Sequence, residues 1–390
     1  MASLTNNQGT NAERSRLHNR QAVLGCIHAA GQMGRAEIAR ALGLSTQAVS
    51  NIMAELSRDG LLVERGARSA GRGLPAIQYA VNPDGGFAFG FEIRPDAIFA
   101  ALVDMTGAPV FTRRVALDSA LPDGVVSIVT ALRDAALAAT PSARQKLLGA
   151  GIVMPGPFGH TGISGYGTDL PGWQGVCPEA LFQAALGLPI EVSNDANAAA
   201  MAERITGIAH GLKTYAYLYF GTGLGLGLVS QGHLIRGAYG NAGEMGHIHV
   251  PTPSGPAALE TMLSRLSVQQ KLESCGLNAI DFKAIDALYA AHNPNLLAWL
   301  DDAVFSLGYA VQIIENLFDP ETIILGGAMP GAVLDHLISN VVLPEKSVSN
   351  RPDARIKRLQ SGASGQLSAT LGAASLVLNH TFSPQISAMR

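Results

Sequence analysis

A glutamate and a histidine stand three residues apart in Gly243-Glu244-Met245-Gly246-His247. A carboxylate accepts hydrogen bonds and an imidazole donates or accepts them, so the two can converge on one polyol. The alternative for His247 or His249 is a histidine satisfied in the core or at the surface. Glycines alternate at 221, 223, 225 and 227, which leaves backbone N–H groups unshielded. Such a loop can cradle a phosphate or a sugar hydroxyl. It is not the GxGxxG dinucleotide fingerprint, and it also fits a glycine-rich hairpin in a tight sheet. A third group lies near the N-terminus. Ser45, Thr46, Gln47, Ser50 and Asn51 are short polar residues, and Gln47, Ser50 and Asn51 can reach base edges from a major groove. Arg68 and Arg72 follow in a glycine-rich loop suited to phosphate or minor-groove contact.

The elements that must position the N-terminal group are legible in order. Residues 1–13 are polar and read as a loose tail. A helical pattern runs over 17–31, and a short helix over 35–42 ends at Gly43. Ser45 is a suitable N-cap for a third helix running to 56. Ala48, Val49, Ile52, Met53 and Leu56 form its buried stripe, leaving Gln47, Ser50 and Asn51 opposite. Two short helices joined by a tight glycine turn describe a helix-turn-helix. Strands at 61–65 and 76–81 flank the basic loop 66–73 and complete a wing. A three-helix packing domain with a solvated loop is the alternative.

The remaining chain reads as a meander of strands (87–93, 98–103, 109–117), then a helix over 125–139. Strands at 148–154 and 189–192 follow, the second leading into Ser193-Asn194-Asp195 and a helix over 196–204. A strand at 215–220 precedes the glycine run. A long helix over 296–318 precedes a strand at 321–325 that ends in Gly326-Gly327. Hairpins giving way to alternating strands and helices predict a mixed α/β sheet.

Composition narrows the function classes. The chain has 390 residues, and at about 150 per domain that predicts two to three domains. With 47% apolar and 15% charged residues it is not a mainly disordered chain. Net charge is −3, but residues 1–86 hold nine arginines, no lysine and six acids. A mildly basic head therefore sits on an acidic body. Cys26, Cys177 and Cys275 form no close pair, so neither a disulfide framework nor a CxxC zinc site is expected. The N-terminus lacks the apolar region of a signal peptide. The most apolar stretch, 215–229, is fifteen residues with four glycines, too short and glycine-rich for a membrane span. The expectation is a cytoplasmic protein.

Asn194-Asp195-Ala196-Asn197-Ala198-Ala199-Ala200, the 221–227 glycines, Gly243 through His247, Leu259-Glu260-Thr261 and Leu325-Gly326-Gly327 occur in that order. In combination they resemble the ROK family (repressors, open reading frames and sugar kinases). The resemblance covers nearly the whole chain. The winged head is what the family's repressors carry and its kinases lack, and the chain is similar to its sugar repressors of the N-acetylglucosamine and xylose type. The implied architecture is an N-terminal winged helix-turn-helix (α+β) over 1–86. An α/β actin/hexokinase-like two-lobed domain over 87–390 follows, for ligand binding and oligomerisation.

The resemblance implies sugar contacts at Asn194, Asp195, Glu244, His247 and Glu260. It also implies a loop over the sugar that includes Thr168 and Asp169, where the family usually has asparagine at the second position. Asp195 matches the general base of the kinases, but the same carboxylate can bind a sugar without reacting. Gly221, Thr222, Gly223, Gly225, Gly326 and Gly327 match the nucleotide loops, and are expected to be vestigial. The first phosphate loop reads Glu92-Ile93-Arg94-Pro95-Asp96, without its two glycines. Pro95 removes a donor and Asp96 adds negative charge, so loss of ATP binding is expected. The family's zinc knuckle cysteines are absent between His247 and Glu260. No zinc and no other cofactor is expected, because structural zinc takes four ligands.

The expected function is a sugar-responsive regulator, a repressor and not an enzyme. Its expected partners are operator DNA, a sugar effector and further copies of itself as homodimer or homotetramer. An active ATP-dependent sugar kinase with a DNA-binding head is the alternative. A constitutive DNA-binding protein whose body only mediates assembly is a third reading.

Overall fold

The computed structural model describes residues 7–384 other than 69–75, 159–169, 171, 253–254, 278–281, 363–364 and 366. The head comprises α1 (Asn7–Ala30), β1 (Met33–Gly34), α2 (Arg35–Leu42), α3 (Thr46–Arg58), β2 (Leu62–Arg68) and β3 (Ala76–Val81). Its sheet has the order β1-β3-β2, all antiparallel. Helix α1 begins at Asn7, so the expected tail is in part the first turns of this helix.

A short turn at Pro83–Gly85 leads into the body. Its first lobe holds β4 (Phe87–Ile93), β5 (Ala97–Asp104), β6 (Pro109–Ala116), α4 (Pro122–Ala139), β7 (Leu147–Val153), α5 (Pro178–Leu186) and β8 (Ile190–Ser193). Next comes α6 (Asp195–Ile205). The second lobe holds β9 (Tyr215–Phe220), β10 (Leu224–Ser230), β11 (His233–Leu234), β12 (His249–Val250), β13 (Ala257–Ala258), α7 (Arg265–Ser274), α8 (Phe282–Ala290), α9 (Pro294–Phe318), β14 (Ile323–Gly327), α10 (Gly331–Asn340) and β15 (Leu359–Ser361). The chain then returns as α11 (Ser368–Phe382).

The two large sheets repeat one plan. Their orders are β6-β5-β4-β7-β8 and β11-β10-β9-β14-β15. In each, three strands form an antiparallel meander, and the first of these also begins a parallel trio. Ligands of open α/β sheets collect at the carboxyl ends of such parallel strands. Those ends are where Arg94, Asn194, Gly221 and Gly327 lie.

Helix α11 packs on β4, β7 and α6, and α6 packs on β9 and β10. These two helices are the layer between the lobes. Small residues make the layer thin. A Cβ at Gly90 would lie 2.8 Å from the Ala374 nitrogen, one at Gly227 2.8 Å from Ala200 Cβ, and one at Gly372 2.9 Å from the Ala199 nitrogen. Helix α9 is long and apolar enough to cross a membrane by length and composition. Its Leu296, Trp299, Leu300, Ala303 and Leu307 are instead buried in the second-lobe core.

Candidate functional site

Helix α2 starts where Glu37 Oε2 accepts from the Gly34 N–H at 2.7 Å. It stops at Gly43, whose φ of +65° is the left-handed conformation glycine tolerates. Ser45 then caps α3, its Oγ accepting from the Ala48 N–H at 3.1 Å. Val49, Ile52, Met53 and Leu56 of α3 are buried against Val23, Leu24 and Ile27 of α1. That packing turns Ser45, Thr46, Gln47 and Asn51 to solvent and leaves Ser50 half-buried. Gln47 Nε2 donates to Asn51 Oδ1 at 3.0 Å, so two of the base-reading candidates are pre-arranged as a pair. Arg68, expected in the loop, instead closes β2 opposite Ala76, because pairing with β3 carries the strand past Gly66. Arg72 lies outside the described residues. Arg35 went unread in the sequence. It stands at the exposed start of α2, and its Nη2 donates to the Tyr79 hydroxyl at 2.5 Å.

The cleft residues form a chain of near neighbours. Asn194 caps α6, its Oδ1 accepting from the Asn197 N–H at 2.9 Å. Asp195 Oδ1 accepts from the Ala196 N–H at 2.8 Å. A Cβ at Gly156 would make ordinary contact with Glu244 Oε1 at 3.6 Å and Asn194 Cβ at 3.8 Å, so both residues flank this glycine. His247 Nε2 is 3.7 Å from Glu244 Oε2, and His247 Nδ1 is 3.7 Å from Glu260 Oε1. These separations exceed a hydrogen bond, leaving both nitrogens able to serve a hydroxyl. A Cβ at Gly223 would lie 2.5 Å from Glu260 Oε2, and one at Gly221 3.1 Å from Asp195 Oδ2. Asn194, Asp195, Glu244, His247 and Glu260 therefore come together. Thr168 and Asp169 lie outside the described residues.

Burial, and then the charge of Glu92, push the Asp195 carboxyl up to about 6. The Ala196 N–H and Arg94 act in the opposite direction. Burial, reinforced by Glu260, also raises Glu244. Two carboxyls are thus held with enhanced proton affinity around one opening.

The expected first phosphate loop is a tight turn, closed by the Arg94 N–H on the Ala97 carbonyl at 2.9 Å. Glu92 is buried, and its Oε1 accepts from Arg94 Nε at 2.6 Å while its Oε2 accepts from Thr370 Oγ1 at 2.7 Å. The Arg94 guanidinium lies over the Phe99 ring, 4.4 Å from its centroid.

The glycine run is not one loop. Only 221–223 turn, with the Gly221 N–H donating to the Gly223 carbonyl at 3.0 Å, while Gly225 and Gly227 lie inside β10. The assignment of Gly225 to a nucleotide loop is corrected on that ground. A Cβ there would lie 2.7 Å from Ala196 Cβ, so its glycine serves the packing of α6 on the sheet. Thr222 is exposed in the turn, and its carbonyl accepts from the Leu266 N–H of α7 at 3.2 Å. Gly326 and Gly327 also have packing reasons. A Cβ at Gly326 would fall on the Tyr217 hydroxyl, and Gly327 has φ +111°.

Between His247 and Glu260 the chain forms the hairpin β12–β13, with Val250 opposite Ala257. Thr252 Oγ1 donates to the Gly255 carbonyl at 2.6 Å, and the Leu259 N–H to the Ile248 carbonyl at 2.9 Å. These bonds set the short turn Leu259–Thr261 that presents Glu260. The donor set does not fit a structural zinc, because no cysteine lies in this segment.

Residues 89–380 match the ROK family, and residues 16–63 match the family described as winged helix-turn-helix DNA-binding. A protein of Bacillus subtilis (strain 168) named xylose repressor is 25% identical over 89% of this chain and 91% of its own length. A glucokinase of Halalkalibacterium halodurans is 30% identical over 54% of this chain and 71% of its own length. Among solved structures, a ROK family transcriptional regulator described as a homolog of the E. coli MLC protein superposes with a TM-score of 0.71. It is 20% identical and covers 95% of this chain and 98% of its own. A ROK family glucokinase from Streptomyces griseus, solved with glucose and AMPPNP, has a TM-score of 0.56 at 24% identity, covering 75% of this chain and 99% of its own. Both identities are low enough that these two likenesses show the fold alone. The chain is a winged-helix protein with a two-lobed, sugar-kinase-like body. It belongs to the ROK family.

Proposed function

We propose that this protein is a sugar-responsive DNA-binding transcriptional regulator, a repressor, whose body binds a sugar or sugar derivative without phosphorylating it. The observation that carries this reading is the convergence of Asn194, Asp195, Glu244, His247 and Glu260 in a chain that also bears a winged head. Carboxylates accept from sugar hydroxyls, while the asparagine amide and the imidazole supply donors. The relative named xylose repressor supports the same class of effector and the same direction of control. Two-fold half-sites call for paired heads, so the working form is a homodimer or homotetramer on operator DNA in the cytoplasm.

Loss of phosphoryl transfer rests on the β4–β5 turn. Phosphoryl transfer needs the nucleotide held and its charge neutralised. Here Arg94 is engaged by Glu92, and Pro95 and Asp96 stand where glycine amides would face a phosphate. Zinc is likewise not required, since backbone hydrogen bonds of the β12–β13 hairpin hold Glu260 in position. The second reading, an active sugar kinase, is favoured by Asp195 beside the Gly221–Gly223 turn.

Titration calorimetry with D-xylose, D-glucose and N-acetylglucosamine, paired with an ADP-release assay containing ATP and Mg²⁺, separates the readings. The proposal expects one sugar to bind, His247→Ala to lose that binding, and ADP release to stay at background. Sugar-dependent ADP release would replace it with the kinase reading.

A further inference from the structure

We infer that helix α6 and the turn after it transmit the state of the cleft to the DNA-binding helix through a joint formed by His28, His210 and Phe382. The inference rests on the cleft being the effector site.

Helix α6 begins at Asn194 and Asp195 and ends at Ile205, about 16 Å away at 1.5 Å per residue. Along its length it has no slack. Cβ atoms at Gly225 and Gly227 of β10 would lie 2.7 Å and 2.8 Å from the Cβ atoms of Ala196 and Ala200. On the other side, one at Gly372 of α11 would lie 2.9 Å from the Ala199 nitrogen. Close-packed interiors shift between discrete arrangements rather than deforming locally. A displacement of the Asn194 end is therefore carried to the other end.

The far end of α6 is tied to three things. Arg204 Nε donates to Asn379 Oδ1 of α11 at 3.2 Å, and Arg204 Nη1 to the Leu212 carbonyl at 2.9 Å. Glu203 Oε2 accepts from the Ile208 N–H at 2.9 Å, which fixes the turn. His210, in that turn, faces the Ile205 carbonyl with Nδ1 at 3.2 Å and the His28 carbonyl of α1 with Nε2 at 3.1 Å. A neutral imidazole has a single N–H. In that form it donates to the head or to the end of α6, whereas the protonated ring donates to both, so the joint has distinct hydrogen-bonded arrangements.

On the head side, the His28 ring stacks on Phe382 with centroids 4.3 Å apart and meets the His210 ring edge-on at 5.0 Å. Gln21 Nε2 donates to the His380 carbonyl at 2.8 Å, and a Cβ at Gly25 would lie 3.2 Å from the Phe382 carbonyl carbon. Helix α1 then continues to the DNA-reading helix. Val23, Leu24 and Ile27 share a core with Val49, Ile52 and Met53 of α3. Arg16 pairs with Glu55 at 2.6 Å and Arg20 with Asp59 at 2.5 Å. The contacts run without a gap from Asn194 to α3.

Hydrogen exchange of the full chain, read by mass spectrometry, tests this without knowing the effector. Asn194→Ala removes the α6 cap and perturbs the cleft end. The expected result is altered exchange at 206–212 and at 23–30. In the pair Asn194→Ala with His210→Ala, compared with His210→Ala alone, the response at 206–212 persists and that at 23–30 is lost. Phe382→Leu provides the same comparison if His210→Ala does not fold. A response confined to 194–205, or one undiminished at 23–30 without His210, overturns the inference. A second arm adds D-xylose to the parent chain. Protection at 194–198 by xylose supports the effector reading. No protection there rejects xylose as effector, while the Asn194→Ala arm still decides the route.

Discussion

Asp195 takes its chemistry from burial. Its carboxyl sits at about 6, above the ordinary 3.8, because it is desolvated and faces Glu92. A sugar hydroxyl is best accepted by the ionised form. Sugar affinity should therefore rise as pH climbs through about 6 and level off above it. Arg94 holds the carboxyl down, so Arg94→Ala should move that midpoint to higher pH. Calorimetric titration across pH checks both. Asp195→Ala and His247→Ala should abolish the response of DNA binding to sugar and leave DNA binding itself intact, as read by anisotropy. Glu244 and His247 were legible from residue type and spacing, whereas Asn194, Asp195 and Glu260 were legible only through the resemblance of their motifs to the ROK family. Arg94 and Thr370 as the two partners of Glu92 could not be named. The first pairing is set by the tight turn after β4, and the second joins residues 278 apart in the chain. Gly225 was misplaced because alternating glycine reads alike in a loop and in a strand under a helix.

At the scale of elements, the chain is built around α6 and α11. Gly372→Ala would drive a Cβ into the Ala198–Ala199 backbone of α6. Overpacking of this kind costs about 1–3 kcal/mol, so a lower midpoint of thermal unfolding by calorimetry is expected. Helix α6 is legible because it follows at once on the strand that leads into Ser193-Asn194-Asp195, whereas α11 is not legible. Ser368–Phe382 is buried on almost every side, so it carries no amphipathic stripe to read. Strands β4 and β5 were legible as continuous apolar runs between turn residues, as both-face burial requires. The repeated five-strand plan left no trace in the motifs, because its two copies carry different residues at equivalent turns.

At the scale of the molecule, the head is docked and not tethered. Val23, Leu24 and Ile27 of α1 share one apolar cluster with Ala374, Val377, Leu378 and Phe382 of α11. His28 lies at that junction, with His210 and Arg204 facing it. Burial, then the His210 and Arg204 charges, lower it from 6.5 to about 4. The docked state holds His28 neutral, while the undocked state binds a proton below about 6.5. Docking is therefore strongest above about 6.5 and weakens as pH falls toward about 4, which limited proteolysis across that window should report as cleavage between head and body. On DNA, Arg72→Ala should weaken binding and reduce the salt slope by about one phosphate's worth if it contacts the backbone. A coupling of about 1–3 kcal/mol, or 5–150-fold in affinity, suffices for the switch, and operator DNA must change sugar affinity by the same factor.

The central claim is that one chain reads DNA with its winged head and answers to a sugar in its cleft. Fluorescence anisotropy on the DNA flanking its own gene tests it directly, titrated at two salt concentrations with and without a panel of sugars, amino sugars and their phosphates. The account predicts specific binding that one sugar shifts by 5–150-fold, and no shift in His247→Ala. Specific binding that no sugar moves, or no specific binding at all, would contradict it.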